Sequence, residues 1–279
     1  MFFLSSMAFG QDLDFSKIEV VAEKVAGTVY IIRGTDDEKA FSGGNIAVSV
    51  GEDGVVMIDS KFGPLSEKIL TAIKKIGGDH PKFILNTHVH GDHVGGNAKY
   101  HQHGSIIAHE NVRKRMDKEP KEKWPVITFD QSLSIHFNGE QIKAKHFPKG
   151  HTDGDSIISF TGSNVIHMGD HLFNGMFPFV DLNSGGTVQG YMTNMKKVLD
   201  HISDEVFIIP GHGPVCNKKQ LAVNYDMLEK TTNLITEKMK AGKSLEELKK
   251  EGLPEEWKNW SWAFITTEKW IETVYGSFK

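Results

Sequence analysis

Short apolar runs and amphipathic stretches alternate along the first three quarters of the chain. Residues 28–33, 45–50 and 55–59 are rich in β-branched residues, and Gly51-Glu52-Asp53-Gly54 between the last two is a turn composition. These three segments are expected to be strands. Across residues 65–76 the apolar positions Ile69, Leu70, Ile73 and Ile76 recur at helical spacing. A strand at 82–86, another at 105–108 and a charged helical segment at 111–118 follow. The strand pattern returns at 133–137, 141–146, 156–161 and 164–167, with Thr161-Gly162-Ser163-Asn164 as a hairpin turn. A helix at 191–202 and a strand at 206–209 come next. Beyond them the pattern is helical, at 218–240, 244–251 and 267–278, and Ser244 and Glu247 have the spacing of a capping box. The strands therefore fall into two groups, each bracketed by helices, with no linker or repeat between them.

Length and composition narrow the partners. A chain of 279 residues with 39% hydrophobic and 24% charged residues has ordinary globular composition and length enough for a full core. Its net charge of −4 argues against a nucleic-acid surface. No apolar run approaches the roughly 20 residues that cross a bilayer, so no membrane span is expected. The single cysteine, Cys216, excludes an intramolecular disulfide and a thiolate-rich zinc cage, and it reads as a packing residue. Residues 1–10, ending in Ala8-Phe9-Gly10, resemble the tail of a signal peptide cleaved before Gln11, although the basic start is missing and the apolar part is short. A periplasmic or secreted protein is the expectation, and a cytoplasmic one if those residues are only a mildly apolar N-terminus.

The chemistry is concentrated in Asn86-Thr87-His88-Val89-His90-Gly91-Asp92-His93. A strand over 83–88 would send His88 and His90 to one side. Gly91 would then turn the backbone and bring Asp92 and His93 in from another direction. Neutral imidazoles and a carboxylate suit zinc and similar divalent ions. Three more segments place a glycine beside a candidate ligand just after a strand: Lys149-Gly150-His151, Gly169-Asp170-His171 and Pro210-Gly211-His212. His80, His101, His103, His109, His136, His146, His167 and His201 read as surface, loop or packing residues. His171 should point away from the cluster if strand alternation holds. Asp153 and Asp155 either shape the turn after His151 or orient its ring.

Taken together, these elements resemble the metallo-β-lactamase superfamily in order and spacing over about residues 25–215. The resemblance implies an α/β fold, a four-layer αββα sandwich with metals at one edge. It also implies a catalytic domain over 18–240 and a helical C-terminal extension at 241–279 packed on it. By the same resemblance His88, His90 and His151 hold one zinc ion, and Asp92, His93 and His212 hold a second. Asp170 bridges the two. A hydroxide between the ions would attack the substrate, with Asp92 orienting it and carrying a proton to the leaving group. Iron or manganese are alternative metals.

Position 170 separates the branches. One group of β-lactamases carries cysteine there and another serine, whereas Asp170 resembles glyoxalase II-like thioesterases and lactonases. His90 stands where the flavodiiron group has glutamate, and no cap-sized insertion separates His151 from His212. The expected substrate is a small ester, lactone, thioester or lactam. Residues 173–181, rich in phenylalanine, are either a packed connector or an apolar mouth. Residues 35–45 would form a flap, and Trp124 and Phe129 are further candidates for lining. The rivals are a mononuclear iron persulfide dioxygenase of the same fold, a β-lactamase-like activity and a noncatalytic binding protein.

Overall fold

Residues 13–34 and 42–279 are described by a computed structural model. The leader-like residues 1–10 and residues 35–41 of the expected flap lie outside the described residues. The first sheet runs in sequence order through β1 (Val20–Ala26), β2 (Val29–Gly34), β3 (Ile46–Gly51), β4 (Gly54–Ile58), β5 (Phe83–Leu85), β6 (Ser105–His109) and β7 (Ile127–Phe129). It is antiparallel as far as β4 and parallel from there on. The second sheet contains β8 (Ser132–Phe137), β9 (Glu140–His146), β10 (Ser156–Phe160), β11 (Val165–His167) and β12 (Phe207–Ile209). Only its β11–β12 pair is parallel.

Strand alternation assigns the layers. In β4, Val56 and Ile58 face a core shared with Ile142, Ile158 and Ile209 of the second sheet, so the two sheets pack face to face. Val55 and Met57 point the other way, against Leu65, Ile69 and Ile73. The last two belong to α1 (Ser66–Lys75), whose apolar stripe thereby covers the outer face of the first sheet. Three short helices follow: α2 (Gly91–Val94), α3 (Asn97–Tyr100) and α4 (Glu110–Arg115). On the outer face of the second sheet, Ile157, Ile166 and Ile208 meet α5 (Val188–His201) and α6 (Lys218–Lys240). The same core includes residues of α7 (Leu245–Glu251) and α8 (Thr267–Phe278). The result is the expected αββα order. No helix among the described residues is long and apolar enough to cross a membrane.

Several local expectations change. β1 is an additional strand with a weak pattern: its central Glu23 and Lys24 are exposed, and it runs along a sheet edge, where charge discourages further pairing. β7 is only three residues long and follows Pro125, too short for a period to register. The strand expected over 83–88 stops at Leu85, so His88 and His90 are displayed by a loop and not by a pleat. That loop leads directly into α2, which carries Asp92 and His93.

The C-terminal helices are fastened by Trp270, which is fully buried on α8. Its Nε1 donates to Thr231 Oγ1 of α6 at 2.9 Å, and its ring stacks 5.9 Å from Phe177. Trp270→Ala should therefore lower unfolding free energy by about 3–5 kcal/mol, chiefly through the cavity and in small part through the lost hydrogen bond to Thr231. Urea unfolding measures it, and a loss below about 1 kcal/mol would contradict this account of the packing.

Candidate metal centre

All seven expected ligand residues converge at one end of the sheet sandwich, each from a segment that follows a strand or opens a short helix. His88 and His90 come from the loop after β5, and Asp92 and His93 from α2. His151 follows β9, Asp170 follows β11 and His212 follows β12. Among the described residues, two groups of side chains are able to hold a metal ion: His88, His90, His151 and Asp170, and next to them Asp92, His93 and His212. Within each group the ligand atoms lie within 4.8 Å of one another.

Asp170 faces both groups. Its Oδ2 lies 3.3 Å from His151 Nε2 and 3.6 Å from His88 Nε2. Its Oδ1 lies 3.0 Å from His93 Nε2 and 3.4 Å from His212 Nε2. Asp92 Oδ2 stands 3.4 Å from His93 Nε2 and 3.3 Å from His212 Nε2. Ligands held tetrahedrally about 2.0–2.1 Å from a zinc ion stand about 3.3–3.4 Å apart, so these separations suit such an ion.

Hydrogen bonds on the outer side of the rings decide which nitrogen faces inward. Thr87 Oγ1 donates to Asp59 Oδ2 at 2.7 Å and therefore accepts from His88 Nδ1–H at 3.0 Å. His93 Nδ1–H donates to the same Asp59 oxygen at 2.7 Å. His151 Nδ1–H donates to the Phe179 carbonyl at 2.7 Å, and His90 Nε2–H to Asp181 Oδ2 at 3.0 Å. In the His88, His90 and His151 rings the remaining nitrogen presents a lone pair to the centre, while His93 Nε2 faces the carboxylates of Asp170 and Asp92. This is the outer arrangement that metal-ligating histidines require. His90 Nδ1 and His151 Nε2 face each other at 2.7 Å, a pairing of lone pairs that calls for a cation. His88 Nε2, His93 Nε2 and Asp170 Oδ1 are buried with no hydrogen-bond partner. The donor set thus fits divalent metal.

The electrostatics agree. Burial pushes His88 well below the usual imidazole range, with the neighbouring His93 ring adding to the effect, and burial pushes His151 down to about 4. Both rings are therefore neutral, as ligands must be. Burial would raise Asp170, but His93, His212, His88 and His151 outweigh it and hold the carboxyl well below its ordinary value. Burial also pulls His93 down, yet Asp170, Asp92 and Asp59 raise it well above the usual range. The carboxylates on that side demand positive charge.

Backbone contacts fix the frame. Asn45, just before β3, ties the His212 loop in place. Its backbone N donates to Gly211 O at 2.7 Å, and its Nδ2 donates to Pro210 O and Gly213 O. A methyl group on Gly44 would strike the His93 ring, and one on Gly211 the Asp170 carboxylate.

Other candidates take different places. His171 sits on a 3-10 turn and not on a strand. It points toward α5, where it stacks 5.6 Å from Tyr191 and meets Asn194 Nδ2 at 3.1 Å. His167 is fully buried, donating from Nε2 to Asn45 O and accepting from Gly169 N at Nδ1. His109 and His146 stack at 3.6 Å, and His80 and His103 at 3.8 Å. Asp155 shapes the turn by accepting from Thr152 N, and Asp153 pairs with Arg115. Phe129 is buried edge-on to His109, and Trp124 lies under Arg113. Residues 173–181 are largely a packed connector: Phe173 and Phe177 both lie in the core, Phe173 also stacking 4.8 Å from His212, while Phe179 is partly buried and lies 5.6 Å from His90.

Cys216 is buried in the core behind the site, and burial pushes its thiol up from 9.0 to about 12. A thiol raised on folding stabilises the native state fully below 9.0, and that contribution is lost as pH rises toward 12. At neutral pH the native thiol should resist an aromatic disulfide reagent until the protein is unfolded. Prompt stoichiometric labelling of native protein would show otherwise.

Asp59, Asp181, the Phe179 carbonyl and Asn45 join the site only in three dimensions. Asp59 alone among them has a usable sequence signal, since it is an ionisable residue closing the apolar run Val55-Val56-Met57-Ile58. It holds a left-handed conformation, φ 63°, which aspartate tolerates better than most residues.

Comparison with known proteins gives consistent relatives. The sequence profile of the metallo-beta-lactamase superfamily matches residues 41–216. A hydroxyacylglutathione hydrolase of Pelagibacter ubique is 29% identical over 169 residues, which cover 57% of this chain and 65% of that protein. A beta-lactamase-like protein 2 homolog of Caenorhabditis elegans is 26% identical over 204 residues, covering 70% of this chain and 62% of that protein. The chain thus spans just under two thirds of these relatives. Among solved structures, a sec-alkyl sulfatase superposes with TM-score 0.73 at 14% identity, covering 93% of this chain and 50% of that one. That last likeness is one of fold.

Proposed function

The chain belongs to the metallo-beta-lactamase superfamily, and from that premise we propose that it is a two-zinc hydrolase of small carbonyl substrates: thioesters, esters, lactones or lactams. The observation that carries the reading is Asp170, whose two oxygens address two separate histidine groups. In this reading His88, His90 and His151 hold one cation, Asp92, His93 and His212 hold the other, and Asp170 holds both. When bound, such ions supply Lewis acidity toward the substrate oxygen and activate water as the nucleophile.

The chain's own residues do the rest. Asp59 and Asp181 hold the rings of His93 and His90 in one tautomer, and the Phe179 carbonyl does the same for His151. Asp92, buried beside His93 and His212, orients the attacking water and passes a proton to the leaving group. Phe173 and Phe179 exclude water on the apolar side. Five neutral imidazoles and two carboxylates leave two divalent ions with two net positive charges, since 4 − 2 = 2. That surplus favours a substrate that develops negative charge on oxygen. The relative named a hydroxyacylglutathione hydrolase makes a thioester the first substrate to test.

The test is a panel of thioester, lactone, phosphodiester and lactam substrates offered to protein reconstituted with zinc, iron or manganese. Zinc-dependent hydrolysis of a carbonyl substrate, abolished by chelator, is expected, with nitrocefin a slower substrate. Oxygen consumption with a persulfide by iron-loaded protein, and no hydrolysis with zinc, would overturn the reading in favour of a dioxygenase.

A further inference from the structure

The apolar side of the site includes a segment that lies outside the ligand motifs. Residues 260–265 return from the C-terminal part of the chain and are stitched to Phe177. Phe177 N donates to Trp260 O at 2.9 Å, and Trp262 Nε1 donates to Phe177 O at 2.9 Å. These bonds place the Trp262 ring 6.3 Å from His212 and 6.0 Å from Phe173. Phe264 extends the row, 5.7 Å from Trp262. Trp262 is buried and Phe264 only partly so, and the row therefore leads from the ligand cluster outward. His212 has carboxylates on one side and aromatic carbon on the other.

We propose that Trp262 and Phe264 form an acyl-binding subsite that selects substrates with an aryl or medium-chain acyl group over acetyl. The inference rests on the hydrolase reading above and narrows its substrate class. Because the Trp262 ring stands 6.3 Å from His212, an apolar group attached to a carbonyl carbon reacting at the centre would be within reach of this wall. Each methylene that such a wall removes from water strengthens binding by about fourfold, so a few methylenes suffice for strong selection. A polar acyl group would lose its hydration there without compensation. Trp262 is held by its own N–H, which makes the wall preformed.

Phe264→Ala and Trp262→Leu test it in the full, zinc-loaded chain. With Phe264→Ala, kcat/KM for an octanoyl or phenylacetyl thioester should fall about tenfold or more through KM, while that for the acetyl thioester changes less than about twofold. Metal content should stay the same. Calorimetry gives a readout independent of turnover: octanoate should bind wild type at least about tenfold more tightly than acetate, and Phe264→Ala should erase most of the difference. Equal losses for acetyl and octanoyl substrates, or octanoate binding no tighter than acetate, would overturn the subsite. If wild type hydrolyses no thioester, ester, lactone or lactam yet binds octanoate in a Phe264-dependent way, the hydrolase reading fails and the subsite stands.

Discussion

Replacing Asp170 with alanine is expected to lower bound divalent metal from two ions per chain to one or none. The accompanying loss in kcat/KM should exceed the roughly 10–100-fold that follows from losing an outer partner of a metal ligand. Both groups lose a ligand at once, because Oδ1 faces His93 and His212 while Oδ2 faces His151 and His88. What remains is two sets of three residues with one fewer negative charge between them. Asp170→Asn keeps the shape and removes the charge, so it should fall between wild type and alanine. Elemental analysis of the purified variants, paired with kcat/KM on the best substrate, checks the prediction. Full activity with both metals retained in Asp170→Ala would remove the bridge from the account.

The second large effect is expected at Asp59, which touches no substrate. Its carboxylate accepts from Thr87 N, Thr87 Oγ1 and His93 Nδ1, each at 2.7 Å, in a fully buried position. Asp59→Ala would leave three buried donors unpaired, each costing about 1–3 kcal/mol if nothing rearranges. It would also free the His93 ring to turn and change tautomer. We expect metal affinity at the His93 side to weaken about 10–100-fold and the melting temperature to fall. Metal titration separates the two consequences: the His88 side should retain its ion more firmly than the His93 side. Unchanged affinity on both sides would show that Asp59 serves only the fold.

These two residues also mark how far the sequence is legible. His88, His90, Asp92 and His93 crowd into six positions, and His151, Asp170 and His212 each follow a strand and a glycine, so residue type and spacing mark candidates, and the resemblance to the superfamily is what names these seven as ligands. The layer order is legible for a related reason. Continuous apolar runs such as Val55 to Ile58 report two buried faces directly. Asp59 and Asp181 are not legible as partners of the centre, because an outer partner is defined by the ring it touches, 34 positions along the chain for the first. The Phe179 carbonyl carries no side-chain signal at all. Trp262 lies in a stretch that reads as part of a helical extension, since nothing local indicates that it returns to His212. His88 and His90 do belong together, as a strand pleat would imply, but a loop groups them, because the strand ends at Leu85.

The central claim is that one centre holds two metals, and counting them is its most direct test. The full chain would be stripped, titrated with zinc, freed of excess and analysed by plasma mass spectrometry. Saturation at two ions per chain, with hydrolytic activity rising as the second site fills, is the predicted result. Saturation at a single ion, with activity already complete, would contradict it.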